Sequence, residues 1–284
     1  MYERQEDRAM SIVVGIDIGG STTKIAGFRE DEMLVPVQIS ASNAIASLFG
    51  AFGKFLYDNK LELSDIQQVN LTGVGSSEVK QSIYGLPTYL VDEFTANGVG
   101  GGYFAGDKKE FMVVSMGTGT SFVKCEGCNM EHIGGIGTGG GTLQGLSRLL
   151  LNTNDIKFVS EIATRGNLGN INLLIGDISA KPLPGLPMDA TASLFGKAQS
   201  NTSQEDIAKG LVCLVLQSIG PPPILAGQGT GINEYILIGN LTLLPQCNDI
   251  FPAMAKLYGV NFHIPKHSVF CTAIGAALSY KQQL

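Results

Sequence analysis

The chain has 284 residues, 44% hydrophobic and 15% charged, with 37 glycines, no tryptophan and a net charge of −6. That length supports a packed core in one large domain or two lobes, and an acidic balance with no long basic run argues against a nucleic-acid partner. No apolar segment is expected to reach the roughly 18 residues of a membrane span, and an odd count of five cysteines fits a reducing cytoplasm better than a disulfide framework.

The first stretch, MYERQEDRAM, is charged and has no apolar centre, so it reads as a disordered extension over residues 1–9 rather than a signal peptide, with Met10 a possible start. Ser11 to Ile18 is rich in β-branched residues and reads as a buried strand, and Lys24 to Arg29 as a second. Only a Gly-Gly-Ser-Thr-Thr turn joins them, which predicts a hairpin. Leu34 to Ser40 is a candidate third strand. Ile45, Leu48, Phe49, Phe52, Phe55 and Leu56 have helical spacing and predict a helix over 42–59. QQVNLTGVGSSEV reads as a strand, a glycine turn and a further helix, and PTYLVDEF as a short strand entering a helix near Glu93.

The outline then repeats. Residues 110–127 again read strand, Gly-Thr-Gly-Thr-Ser turn, strand; residues 133–151 read as a glycine loop, IGGIGTGGG, and then a helix. Ser203 opens a long apolar helix, its hydroxyl a cap and Asp206 the partner of a weak capping box. The apolar face over 207–219 is core or a dimer contact. YILIGN and FHIP are strands, CTAIGAALSY is a closing helix, and KPLPGLP is a proline-rich loop. Two hairpin-plus-helices copies predict two similar lobes facing a cleft, divided into 10–93 and 94–284.

Neither a Walker A motif nor a convincing dinucleotide fingerprint is present, because Gly53-Lys54 and Gly196-Lys197 lack the following hydroxyl and a hairpin precedes Gly137. Three separate turns, 19–23, 117–121 and 134–142, are nonetheless rich in glycine and hydroxyls. Such turns offer backbone N–H groups and hydroxyls to phosphate oxygens, and the third leads into a helix N-terminus that favours an anion. Asp17, at a strand end beside the first turn, is placed to hold through water the Mg²⁺ that accompanies phosphates.

DIGGSTTK from Asp17, SMGTGTS from Ser115 and IGGIGTGGGTLQGL from Ile133 together resemble the actin, Hsp70 and sugar-kinase superfold, and more closely the bacterial type II pantothenate kinases. NLTG from Asn70, VDEF from Val91, PGLP from Pro184, ATASLFG from Ala190, ILIG from Ile236 and FCTAIGAAL from Phe270 add to the resemblance over nearly the whole chain after Met10. It implies an α/β, two-lobed actin-like ATPase (ribonuclease H-like) fold with an interlobe cleft. It also implies phosphorylation of the terminal hydroxyl of pantothenate by ATP with Mg²⁺, the first step toward coenzyme A, in a cytoplasmic homodimer. Carried over, the nucleotide contacts fall on Asp17, Ile18, Gly19, Gly20, Ser21, Thr22, Thr23, Lys24, Thr118, Gly140, Gly141, Thr142, Leu143, Gln144, Ile156 and Asn240. The general base falls on Glu93, with Asp92 its adjacent competitor and Asp17 the other catalytic carboxylate. Substrate contacts fall on Glu93, Thr118, His132 and Gly137.

One departure stands out. The resembled family commonly carries arginine just before the glycine string, where this chain has His132, and a histidine is fully charged only below a pKa of about 6.5. Lys24 and Arg148 are candidate replacement cations; otherwise the acceptor differs. A kinase for another small alcohol such as an amino sugar, and a nucleotide-driven switch acting on a partner protein, are the alternatives. Cys125 and Cys128, as CEGC, have zinc or redox spacing but no second such pair, although dehydratase activators of the same superfold bind an iron–sulfur cluster. His263 and His267 flank Pro265 and read as surface loop histidines.

Overall fold

A computed structural model describes residues 12–40, 43–181 and 183–282; the expected extension over 1–9 lies outside them. The chain falls into two compact units. Of the described residues, those within 12–109, 123–132 and 266–282 make the first, and those within 110–122 and 133–265 the second. The helix that begins at Glu93, residues 123–132 and the closing helix all group with the first unit.

In the first unit, β1 (Ile12–Ile18) and β2 (Thr22–Arg29) form the expected antiparallel hairpin, pairing Asp17 with Lys24. β3 (Glu32–Met33) and β4 (Val37–Ser40) divide what reads in sequence as one strand, and both pair with β2. Helix α1 (Ala44–Asn59) follows, then β5 (Ile66–Thr72), parallel to β1 with Thr72 opposite Asp17, and β6 (Thr88–Leu90). After β5 the chain makes short 3₁₀ turns where a helix was expected.

Every residue of β1 is buried, as a strand covered on both faces must be. The pleat sends Ile12, Val14, Ile16 and Ile18 into a core with Phe52 and Phe55 of α1. It sends Val13, with Ala26 and Phe28 of β2, against the closing helix α9 (Cys271–Leu278). Gly15 shares this second face, where a Cβ would overlap the Ala273 carbonyl. By the same alternation Asp17, Lys24 and Thr72 lie on the α9 face, while Ile18 and Thr23 lie on the α1 face.

Helix α2 (Glu93–Ala105) starts at the cap Asp92, whose Oδ1 accepts from Thr95 N–H at 2.9 Å. Its small residues Ala96, Gly98, Gly100 and Gly101 are buried; Ala96 and Gly100 let α2 meet α9 backbone to backbone, while Gly98 packs against Met130. A Cβ on Gly275 would overlap the Ala96 carbonyl and lie 2.7 Å from Gly100 N. No side-chain rotation relieves such a clash. Gly275→Ala is expected to destabilise the protein by about 3 kcal/mol, the upper range for overpacking. An unchanged midpoint in a thermal melt followed by circular dichroism would show that the two helices can separate freely.

The second sheet has the order β13-β12-β7-β8-β9, from β7 (Glu110–Met116), β8 (Thr120–Glu126), β9 (Asn129–Ile136), β12 (Glu234–Ile238) and β13 (Asn261–His263). Between β9 and β12 come α3 (Gly140–Leu151), α4 (Ile156–Ala163), the short pair β10 (Leu173–Leu174) and β11 (Thr191–Ser193), α5 (Ile175–Ile178), α6 (Gln204–Ile219) and α7 (Pro221–Gly227). Helix α8 (Cys247–Tyr258) joins β12 to β13.

Three sequence readings change here. The glycine loop expected from 133 is strand as far as Ile136, so the turn is only 137–139. Gln204–Gly227 is, contrary to expectation, long and apolar enough to cross a membrane by length and composition. It is nevertheless a core element of its unit, because Leu211, Val215, Leu216 and Ile219 pack fully buried against Val114 and Leu237 of the sheet. Ser203 does cap this helix, but Asp206 forms no capping box: its carboxylate accepts from Asn167 N–H at 2.6 Å and Asn170 Nδ2 at 3.0 Å, which holds its pKa below the usual carboxylate value.

Candidate functional site

In the first unit the α9 face of the sheet gathers the charged residues. Lys24 Nζ lies 3.6 Å from Asp17 Oδ2, and both side chains are only 10% exposed. Burial pushes the Asp17 carboxyl above its ordinary value, and the Lys24 charge and hydrogen bond pull only partly against it. Gly73, directly after β5, has φ 84°, and a Cβ there would stand 2.5 Å from Asp17 Oδ1; glycine is what lets the backbone come so close. Beside it the Thr72 hydroxyl is buried without a hydrogen-bond partner.

Glu93 opens α2 on the same side of the unit. Burial raises its pKa first, then the charges of Asp17 and Asp92, while Lys24 opposes the shift. This is the pattern of a general base, a carboxylate moved toward the working pH by desolvation and like charge. Phe94 follows, and its ring stacks on His132 with centroids 3.7 Å apart and planes 9° apart. The exposed imidazole of His132 is thereby held on Phe94, the residue that follows the expected base in α2.

The nucleotide residues expected over 17–24 do not act alike. Gly20 and Ser21 are exposed at the hairpin tip, and the Gly19 N–H is already engaged by the Thr22 carbonyl at 3.0 Å. Ile18 is wholly in the core, and Thr23 Oγ1 bonds Ser47 Oγ at 2.9 Å, so neither side chain joins Asp17.

In the second unit, the tip of the β7–β8 turn, with Gly117 and Thr118, is exposed. The amides of Gly140 and Gly141 donate to the carbonyls of Gly117 and Thr118 at 2.8 and 2.9 Å. The Gly139 N–H meets Thr142 Oγ1, which itself donates to the Gly137 carbonyl. These first amides of α3, expected to face an anion, thus knit two glycine turns together. Leu143 is core; Gln144 is exposed and donates to the Asn154 carbonyl at 3.4 Å; Ile156 and Asn240 are half-buried.

The cysteine pair spans the β8–β9 turn, with Cys128 exposed and Cys125 buried, its thiol pushed up to about 12 by burial and so held uncharged. No cluster of three metal-ligating side chains occurs among the described residues. His263 is not a loop residue: it ends β13, and its Nε2 pairs with Glu234 Oε2 at 2.5 Å. Nothing local in NLTG marks a role for Thr72 or Gly73, since only the parallel register of β1 on β5 brings them to Asp17.

Residues 101–279 match the Fumble family model. A type II pantothenate kinase from Bacillus cereus (strain G9842) is 30% identical over 256 residues, covering 85% of this chain and 86% of that protein. Among solved structures, the activator of the 2-hydroxyisocaproyl-CoA dehydratase from Clostridium difficile, with bound ADPNP, superposes with a TM-score of 0.67 at 15% identity, over 96% of this chain and 98% of that one. The ROK hexokinase from Thermus thermophilus superposes with a TM-score of 0.56 at 12% identity, over 96% and 100%. These two give the fold, the actin-like ATPase architecture that the hairpins and glycine turns led us to expect. Sequence identity of that extent, with a family model spanning most of the chain, gives the rest: the chain belongs to the type II pantothenate kinase family and is a phosphotransferase.

Proposed function

We propose that the chain transfers the γ-phosphoryl group of ATP to the terminal hydroxyl of pantothenate, giving 4′-phosphopantothenate, the first step toward coenzyme A. The observation that carries this reading is the placement of Glu93, partly buried near Asp17 and Lys24 at the start of a helix whose position is fixed by backbone contact with α9. The B. cereus relative supplies the acceptor class, and the ADPNP in the C. difficile neighbour supports an adenine nucleotide.

Phosphoryl transfer asks little covalent chemistry of a protein beyond alignment and charge neutralisation. Glu93 orients the acceptor hydroxyl and takes its proton late in the transfer. The Lys24 ammonium group, 3.6 Å from Asp17, offsets part of the repulsion between Asp17 and Glu93. The Asp17 carboxylate and the unpartnered Thr72 hydroxyl form the hard oxygen donor set that Mg²⁺ prefers, so the residues present fit that ion. When bound, Mg²⁺ would neutralise charge on the phosphate oxygens.

His132 takes the acceptor side of this reading, stacked on the residue that follows the base. Arginine in its place keeps a flat group to stack on Phe94 and adds a fixed charge with paired donors. His132→Arg is expected to preserve or improve kcat/KM for pantothenate, and His132→Ala to lower it by about tenfold, the effect of losing one charge-assisted contact. Equal kcat/KM for the parent and His132→Ala would make His132 a bystander. The reaction itself is tested by incubating the protein with ATP, Mg²⁺ and pantothenate and identifying the product by ³¹P NMR and mass spectrometry. A phosphate monoester of pantothenate supports the proposal. ADP with free phosphate and unchanged pantothenate refutes it.

A further inference from the structure

Asn97 lies one helical turn after Glu93 in α2 and is fully buried. Its two polar atoms differ in their surroundings. Oδ1 accepts from Thr272 Oγ1 of α9 at 2.7 Å, whereas Nδ2 is buried with no partner. A buried amide donor without an acceptor is unfavourable, so such a group in a native core calls for a reason.

Thr272 fixes which prong of the amide points where, because with Oδ1 held on α9 the Nδ2 is presented away from it. On an α-helix, residues four apart share one face, and side chains tilt toward the N-terminus, so the Asn97 amide leans over the turn that carries Glu93. The residues on either side of it in α2, Ala96 and Gly98, are buried and small and bring no side-chain acceptor. The carboxylates of this face are Asp17 and Glu93, and Glu93 is the one on the same helical stripe.

We propose that Asn97 is a positioning residue for Glu93: its Nδ2, which has no partner in this structure, donates to the Glu93 carboxylate when the acceptor binds and holds it toward the acceptor hydroxyl. This inference rests on the reading of Glu93 as the base. The donor satisfies one carboxylate oxygen and leaves the other to meet the acceptor. Thr272 acts behind it by keeping the amide from turning over.

A double-mutant cycle tests this. Asn97→Leu is made in the parent and in Glu93→Gln, and steady-state rates are measured with ATP and pantothenate. In the parent, kcat should fall about tenfold, as for loss of one hydrogen bond to a charged group, with KM for ATP unchanged. In Glu93→Gln, the same change should lower kcat by less than about twofold, since residues that act through one another are not additive. Equal losses in both backgrounds would mean a structural role only, and no loss in the parent would mean none. If Asn97→Leu does not fold, Thr272→Val, which releases the amide and keeps the shape, replaces it with the same expected pattern and the same overturning results. A parent that phosphorylates no acceptor overturns both the base assignment and this inference. A parent that phosphorylates pantothenate with additive losses overturns the inference alone.

Discussion

Glu93→Gln is expected to lower kcat by about 10² to 10⁴ while leaving ATP binding nearly unchanged, because the amide keeps the shape but cannot accept a proton. The pH profile supplies a second sign. The base works ionised, and burial with the neighbouring charges of Asp17 and Asp92 raises its pKa above the ordinary 4.5. Parental kcat/KM should therefore climb with pH through that raised value, and the acid limb should vanish in Glu93→Gln. The neighbouring carboxylate gives the control. Asp92 caps α2 through Thr95 N–H and Oγ1, and asparagine caps as well as aspartate. Asp92→Asn should leave kcat within a few-fold and shift the acid limb to lower pH, since one of the charges that raises Glu93 is gone. Reversed effects at 92 and 93 would move the base to Asp92.

Asp17→Asn is expected to lose about 10²-fold or more of kcat, the scale of a single electrostatic group in a transfer site, and yet to melt no lower than the parent. The folded pKa of Asp17 lies above its ordinary 3.8. The native state then holds the proton at a pH where the unfolded chain has released it, so stability falls as pH rises through that window. Above the folded pKa the full cost of burying the charge is present, and the neutral amide escapes it. A melt at neutral pH with an equal or higher midpoint, beside a collapsed rate, separates lost chemistry from lost fold. A lower midpoint would show that Lys24 depends on the Asp17 charge more than burial disfavours it.

How far these residues can be read from sequence depends on the range of the contact. The β1–β2 hairpin is local, so the turn at 19–21 sets the pairing of Asp17 with Lys24, and the helical spacing over 45–56 gives α1. Alternation within the hairpin also decides that Ile18 and Thr23 face α1, a period-two signal that a motif carried over as a continuous string overlooks. Gly134 and Gly135 hide a strand, because glycine lacks the side chain that marks one. Thr72 beside Asp17 depends on a parallel register, and Asn97 on Thr272 depends on a helix pair 175 positions apart. No local pattern encodes either contact. Asp206 illustrates competition: the spacing from Ser203 suits a capping box, but the donors at Asn167 and Asn170 take the carboxylate.

The most direct test of the central claim is a coupled ADP-release assay with pantothenate set against a panel of sugars and amino sugars, run on the parent, Asp17→Asn and Glu93→Gln. The account predicts ADP release that depends on pantothenate, with little on any sugar, and a loss in both variants of about 10²-fold or more. Release that needs no acceptor, release with a sugar but not pantothenate, or pantothenate turnover that survives in both variants would contradict it.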